Sequence, residues 1–139
     1  MRAVVDDAGR RSLLLREDGD QALVRDLTTG EQRTRPLASL GPAAEDPFVA
    51  LAGPDADSLP APLERAPTDQ ARGLLVELHL AGPRPVRTLL SETTLCESDL
   101  HGLVGDLRAA GLVRETTVDG ERGYGLTDEA ADALAALAH

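Results

Sequence analysis

The stretch Cys96-Glu97-Ser98-Asp99-Leu100-His101-Gly102-Leu103-Val104-Gly105-Asp106-Leu107-Arg108-Ala109-Ala110-Gly111-Leu112-Val113 decides how this chain folds. Leu100, Leu103, Val104 and Leu107 recur at the spacing of one helix face, so a helix is expected over 97–110. Gly111 falls at the left-handed position that commonly ends helices. Residues 112–118 and 121–126 then read as two strands, and Asp119-Gly120 between them supplies the positive φ angles of a tight hairpin. Upstream, Pro85-Val86-Arg87-Thr88-Leu89-Leu90 predicts a short helix over 86–91 that presents Val86, Leu89 and Leu90. Before it, Thr68 or Asp69 caps a helix reaching about residue 80, with Ala71, Leu74, Leu75 and Leu78 on one face and His79 at its margin. Ala81-Gly82-Pro83 stops that helix. Thr127 caps a last helix over 128–138, whose leucine stripe is Leu134 and Leu137. A helix so short is marginal alone and needs packing, within its domain or across a dimer.

Residues 1–40 read as a small antiparallel meander. Four β-prone runs, at 2–5, 11–16, 21–27 and 31–37, are separated by Asp7-Ala8-Gly9, Glu17-Asp18-Gly19-Asp20 and Thr28-Thr29-Gly30. Pro36 closes the fourth run, as an edge strand allows. Val5, Leu13, Leu15, Leu23, Leu27 and Leu37 are the expected inward side chains. A sheet this small needs a cover, from the C-terminal half or from a second copy. Residues 41–67 read as a linker, because six of the nine prolines fall there: Pro42, Pro47, Pro54, Pro60, Pro62 and Pro67. A short helix over 47–52 is expected inside it, capped by Asp46, with Phe48 plugging an apolar surface. The expected fold is therefore α+β: a β domain at 1–40, a linker at 41–67, and a helix-rich domain with a hairpin at 68–139.

Composition narrows the function. The 139 residues carry 14 basic and 24 acidic side chains, a formal charge of −10. Every basic residue is arginine, and lysine, isoleucine, asparagine and tryptophan are absent. Codons for Lys, Asn and Ile are AT-rich, so their joint absence points to a GC-rich genome. With the acid excess, this composition is similar to that of proteins from salt-loving archaea, where molar salt shortens the Debye length to roughly 3 Å and screens repulsion between carboxylates. No apolar run reaches a membrane span, and Met1-Arg2-Ala3-Val4-Val5-Asp6-Asp7 lacks the apolar core of a signal peptide. One cysteine cannot form an internal disulfide, which fits a cytoplasmic protein. Phe48 and Tyr124 are the main aromatic resources, so Leu, Val and Ala must build the core, and a thin core of this kind favours a homodimer. Cys96, Glu97, Asp99 and His101 cluster in sequence near His79, yet one thiol and scattered histidines lack the spacing of a structural zinc site. Cys96 is expected to be a small buried residue where the helix begins. No Ser-His-acid arrangement and no phosphate-cradling glycine loop is present, so neither an enzyme nor a cofactor is expected.

Residues 69–138 resemble the winged helix-turn-helix regulators of the ArsR, MarR and PadR kind, and more closely the small uncharacterised winged-helix proteins of haloarchaea. The resemblance rests on Leu100-x-x-Leu103-x-x-x-Leu107-x-x-x-Gly111-Leu112-Val113 and on Gly123-Tyr124-x-Leu126-Thr127 leading into a terminal helix. It implies a homodimer that lays the helix over 97–110 into the major groove of duplex DNA and touches the backbone or minor groove with the hairpin. Implied DNA contacts are Ser98 and His101 among the exposed residues of that helix, which also include Asp99, Gly102, Gly105 and Asp106. Arg84, Arg87, Arg108, Arg114 and Arg122 are the implied basic contacts, with Arg122 beside the hairpin tip, where an arginine can read a narrow minor groove.

The residues themselves argue against easy DNA contact. The C-terminal half carries six arginines against twelve acidic residues, and phosphate contact needs arginine, lysine or backbone amides. Glu97 and Asp99 also suit a helix N-terminus, and Arg114 and Arg122 suit pairing with Glu115 or Glu121 across the hairpin. Two uses are therefore open: a DNA-binding transcriptional regulator, or a winged helix whose acidic face meets a basic protein partner. Outward Asp99 and Asp106 with no arginine between them would favour the second.

Overall fold

The computed structural model describes residues 1–43, 46–53 and 58–138; Pro54 of the expected linker and His139 of the expected last domain lie outside the described residues. Strands β1 (Arg2–Val5), β2 (Arg11–Asp18), β3 (Gln21–Asp26), β4 (Gln32–Pro36) and β5 (Gly41–Pro42) form one antiparallel sheet in the order β4-β3-β2-β1-β5. The first four strands are the expected meander. The two-residue β5 was not expected; it folds back along β1, pairing Pro42 with Val4 and Gly41 with Val5. Helix α1 (Pro47–Ala52) follows, then a 3-10 turn at Ala61–Arg65 and helix α2 (Asp69–Ala81). The remainder runs β6 (Arg84–Pro85), α3 (Val86–Glu92), α4 (Glu97–Ala109), β7 (Val113–Val118), β8 (Glu121–Leu126) and α5 (Asp128–Leu137). Its three strands form a second antiparallel sheet, β6-β8-β7, so the chain is α+β.

Local chemistry sets the helix starts. The Asp46 carboxylate accepts from the Phe48 and Val49 amides, and Pro47 occupies the first turn, where its missing N–H costs nothing. Thr68 and Thr127 accept from the Ala71 and Ala130 amides at 3.1 and 3.2 Å. Phe48 is fully buried, the plug expected of it.

One apolar core runs through both halves. Ala3, Leu13 and Leu15 of the first sheet and Leu27, just after β3, meet Phe48, Leu63, Leu74, Leu75, Leu107, Leu112 and Leu134 in one cluster. Three of the expected inward side chains do not belong to its buried set. Val5 and Leu23 are half-buried, and Leu23 packs against this cluster from outside its buried set. Leu37 sits in a 3-10 turn (Leu37–Ser39) and packs with Leu40 on the opposite face, over Val4, Leu14, Ala22 and Val24. The sheet thus buries apolar residues on both faces. An irregularity between Leu14 and Arg16 shifts the β2–β3 register, and Leu15 remains in the main core.

Polar contacts fasten the sheet to the helices. Arg25 of β3 makes a bidentate ion pair with Glu77 of α2 at 2.7 and 2.9 Å, with both side chains buried. Burial pushes the Glu77 carboxyl up, and the Arg25 guanidinium pulls it the other way. Gln32 of β4 donates to Glu92 at 3.1 Å, and Glu92 also pairs with Arg84. The Thr94 amide donates to the Leu15 carbonyl, and Arg16 donates to the Ser91 carbonyl, each at 3.0 Å. The segment between α3 and α4 is therefore held directly by β2.

Candidate nucleic-acid interface

Helix α4 is fixed by its apolar stripe and by its start. Leu100, Val104 and Leu107 are buried, whereas Leu103 is only half-buried. Leu95 and Leu100 are both buried and bracket the N-cap, the arrangement of a hydrophobic staple. Because Leu95 fills the apolar slot, Cys96 is not the buried residue expected: it is exposed, and its thiol accepts from the Asp99 amide at 3.5 Å. Ser98, Asp99, His101, Gly102, Gly105, Asp106 and Arg108 are all exposed. Asp99, Gly102 and Asp106 follow one another along the same helix line, with no arginine between the two carboxylates. A side chain added at Gly102 or Gly105 would meet nothing within 4 Å, so packing inside the protein does not require either glycine.

The β7–β8 hairpin closes through Asp119 at φ 51° and Gly120 at φ 79°, the pair of positive angles that a two-residue turn needs. Across it, Glu115 faces Tyr124 and Thr117 faces Arg122. The edge strand β6 lies against β8 so tightly that a Cβ on Gly123 would collide with the Arg84 carbonyl. Tyr124 is buried, an anchor for the hairpin, and its hydroxyl accepts from Arg122 at 2.9 Å.

The implied basic contacts separate into three groups. Arg84 faces the interior: its side chain is three-quarters buried, it pairs with Glu92, and its Nε has no hydrogen-bond partner. Arg114 donates through Nε to the Leu126 carbonyl at 3.2 Å rather than to a carboxylate. Arg87, Arg108 and Arg122 form the third group, with 80%, 51% and 60% of their side chains exposed. Each meets a glutamate. Glu121 holds Arg87 at 2.6 Å, and Glu115 lies 3.7 Å from Arg108 and 3.5 Å from Arg122. Beside them is an open cleft of about 610 Å³, lined by the apolar Val86 and Leu90 and by Arg87, Glu97, Glu121 and Arg122.

Glu115 and Glu121 were not singled out as functional from the sequence. Their signal is the alternation of charge in Arg114-Glu115 and Glu121-Arg122 on two facing strands. His79, at the α2 margin, has its pKa lowered by burial, and no group of three or more His, Cys, Asp or Glu side chains suited to a metal ion is found among the described residues. No helix among them is long and apolar enough to cross a membrane.

Comparison with curated proteins and with solved structures returned no match. A family model, that of DUF7346, a family of unknown function, matches residues 1–138. The match spans both sheets and all five α-helices among the described residues, and the chain therefore belongs to the DUF7346 family.

Proposed function

We propose that this protein is a DNA-binding regulator of the winged helix-turn-helix type, docking duplex DNA through the side formed by α4 and the β7–β8 hairpin. The order α2, β6, α3, α4, hairpin, with β6 completing a three-stranded sheet, supports the winged-helix reading. One observation carries the DNA reading: Arg87, Arg108 and Arg122 are all solvent-exposed and are gathered at the hairpin by two carboxylates. Arginines in such a position can reach phosphates, while Ser98 and His101 lie exposed on α4 for base edges. A homodimer belongs to this reading. Val49 is the one large apolar side chain exposed among the described residues, so a two-fold contact would be polar.

A specific observation favours a second reading. The α4 line of Asp99, Gly102 and Asp106 is acidic and free of arginine, which suits a basic protein surface better than a phosphate backbone. Duplex binding across a KCl series up to molar salt, with fragmented genomic DNA and sequencing of what is retained, separates the two. An enriched inverted repeat establishes the dimeric regulator. Absence of retention at every salt where the protein is folded rejects the DNA reading and directs the search to a basic protein. On the DNA reading, the Arg108→Ala/Arg122→Ala double variant weakens retention at matched salt; unchanged affinity removes these residues from the interface.

A further inference from the structure

We propose that Glu115 and Glu121 are autoinhibitory residues of the DNA-binding face: they hold Arg108, Arg122 and Arg87 in ion pairs that must be exchanged for phosphate contacts. The inference rests on the DNA reading above and names what regulates that site. Three features of the geometry carry it. First, one carboxylate serves two arginines: Glu115 presents one oxygen to Arg108 and the other to Arg122. Second, Glu121 is the chain neighbour of Arg122, yet it reaches the side chain of Arg87 on α3, so two glutamates hold Arg87, Arg108 and Arg122. Third, both glutamates are themselves exposed, at 44% and 40% of their side chains, so neither is required by the core.

Exposed pairs of this kind hold weakly and are screened by salt. The arginines are therefore tethered but releasable. The larger obstacle is what remains after release: two carboxylates left facing the phosphates, with like charges that repel at the contact. Arg122 is already positioned for the exchange, because Tyr124 holds its guanidinium by a hydrogen bond and by a ring contact 5.8 Å from the ring centroid. Replacing either glutamate by glutamine keeps its shape, removes the competing charge and leaves the arginines in place. Rising salt weakens the pairs and the repulsion together, so the advantage of the glutamine variants belongs to low ionic strength.

The test is fluorescence anisotropy with a labelled duplex of random sequence, at KCl concentrations from low to molar, on the full chain. It compares wild type, Glu115→Gln, Glu121→Gln, the double variant and Glu31→Gln. Glu31 pairs with Arg33, so its substitution makes the same change of net charge as either single hairpin variant, away from the hairpin. Thermal melts confirm that each variant is folded. The double variant is expected to bind roughly tenfold more tightly than wild type at low salt, with the gain shrinking toward molar KCl as the Debye length falls from about 10 Å to about 3 Å. Glu31→Gln is expected to move affinity by much less. If wild type binds and neither Glu115→Gln nor Glu121→Gln gains more than the charge-matched Glu31→Gln, the autoinhibitory role is overturned while the DNA reading stands. If neither wild type nor the double variant binds at any salt where both are folded, the DNA reading falls, and the inference with it.

Discussion

Arg25 and Glu77 meet where neither charge is tolerable alone. Their bidentate pair is buried between the first sheet and α2, so removing one partner leaves the other charged and dry. Glu77→Ala is expected to destabilise the fold by about 3–5 kcal/mol, whereas replacing both residues with apolar ones of similar volume is expected to cost far less. Denaturant unfolding in molar KCl checks both. Nothing in the spacing of two residues 52 positions apart announces the pair. The one trace is a carboxylate inside the apolar run Leu74-Leu75-Val76-Glu77-Leu78, and periodicity reads that run as a helix face without asking what Glu77 meets. Asp26 poses a different case. Burial pushes its carboxyl up, but the Thr29 and Thr28 amides and the Arg10 charge outweigh burial and hold it below the usual range. As pH falls, the unfolded chain then takes up this proton before the folded one does. The stability contributed by Asp26 is present above roughly pH 3.9 and is lost below it, as pH falls through the folded value. Asp26→Asn is expected to flatten the acid side of a plot of unfolding midpoint against pH.

The elements whose signals are local were legible in the sequence: Asp46, Thr68 and Thr127 at helix starts, Asp119-Gly120 at the hairpin, Gly82 and Gly111 at helix ends. Elements defined by a distant partner were not. β5 and β6 are two residues each, and only pairing with β1 and β8 makes them strands. The second apolar face of the first sheet was hidden for a related reason, since Leu37 and Leu40 cover it from outside any strand. The glycines give the sharpest test at this scale. Gly123→Ala forces a methyl group into the β6 backbone and is expected to cost about 1–3 kcal/mol. Gly102→Ala and Gly105→Ala, in open space on α4, are expected to stabilise the protein by about 0.5–1 kcal/mol each. Thermal unfolding of the three variants should separate them by sign. If the two α4 variants also lose DNA or partner binding, that face is an interface where a close approach selects glycine.

Charge is distributed unevenly over the whole molecule. Residues 1–40 hold seven arginines and seven acids, so the entire charge of −10 lies on the remainder. Stability is expected to rise as KCl increases from low to molar, because screening relieves repulsion among the carboxylates of the C-terminal half. A melting series in KCl measures this. The sequence suggested separate units at 1–40 and 68–139, yet one core passes through both and Arg25 reaches across. Residues 68–138 expressed alone are therefore expected to lose cooperative unfolding, since Glu77 is stripped of its partner and the inner face of the sheet is gone. Amide dispersion by NMR, full chain against fragment, would show it; a well-dispersed fragment would refute the dependence. The folded helices and hairpin could be read from pattern, but the dependence of one half on the other could not, because it resides in contacts distant along the chain.

Tyr124 makes the hairpin self-reporting. The chain has one tyrosine and no tryptophan, so its ultraviolet emission arises from a single phenol whose hydroxyl accepts from Arg122. Any ligand that draws Arg122 away should alter that emission without a dye or tag. Arg122→Ala provides the spectrum of the released state, and titrating wild type toward it would convert a surface contact into an optical signal.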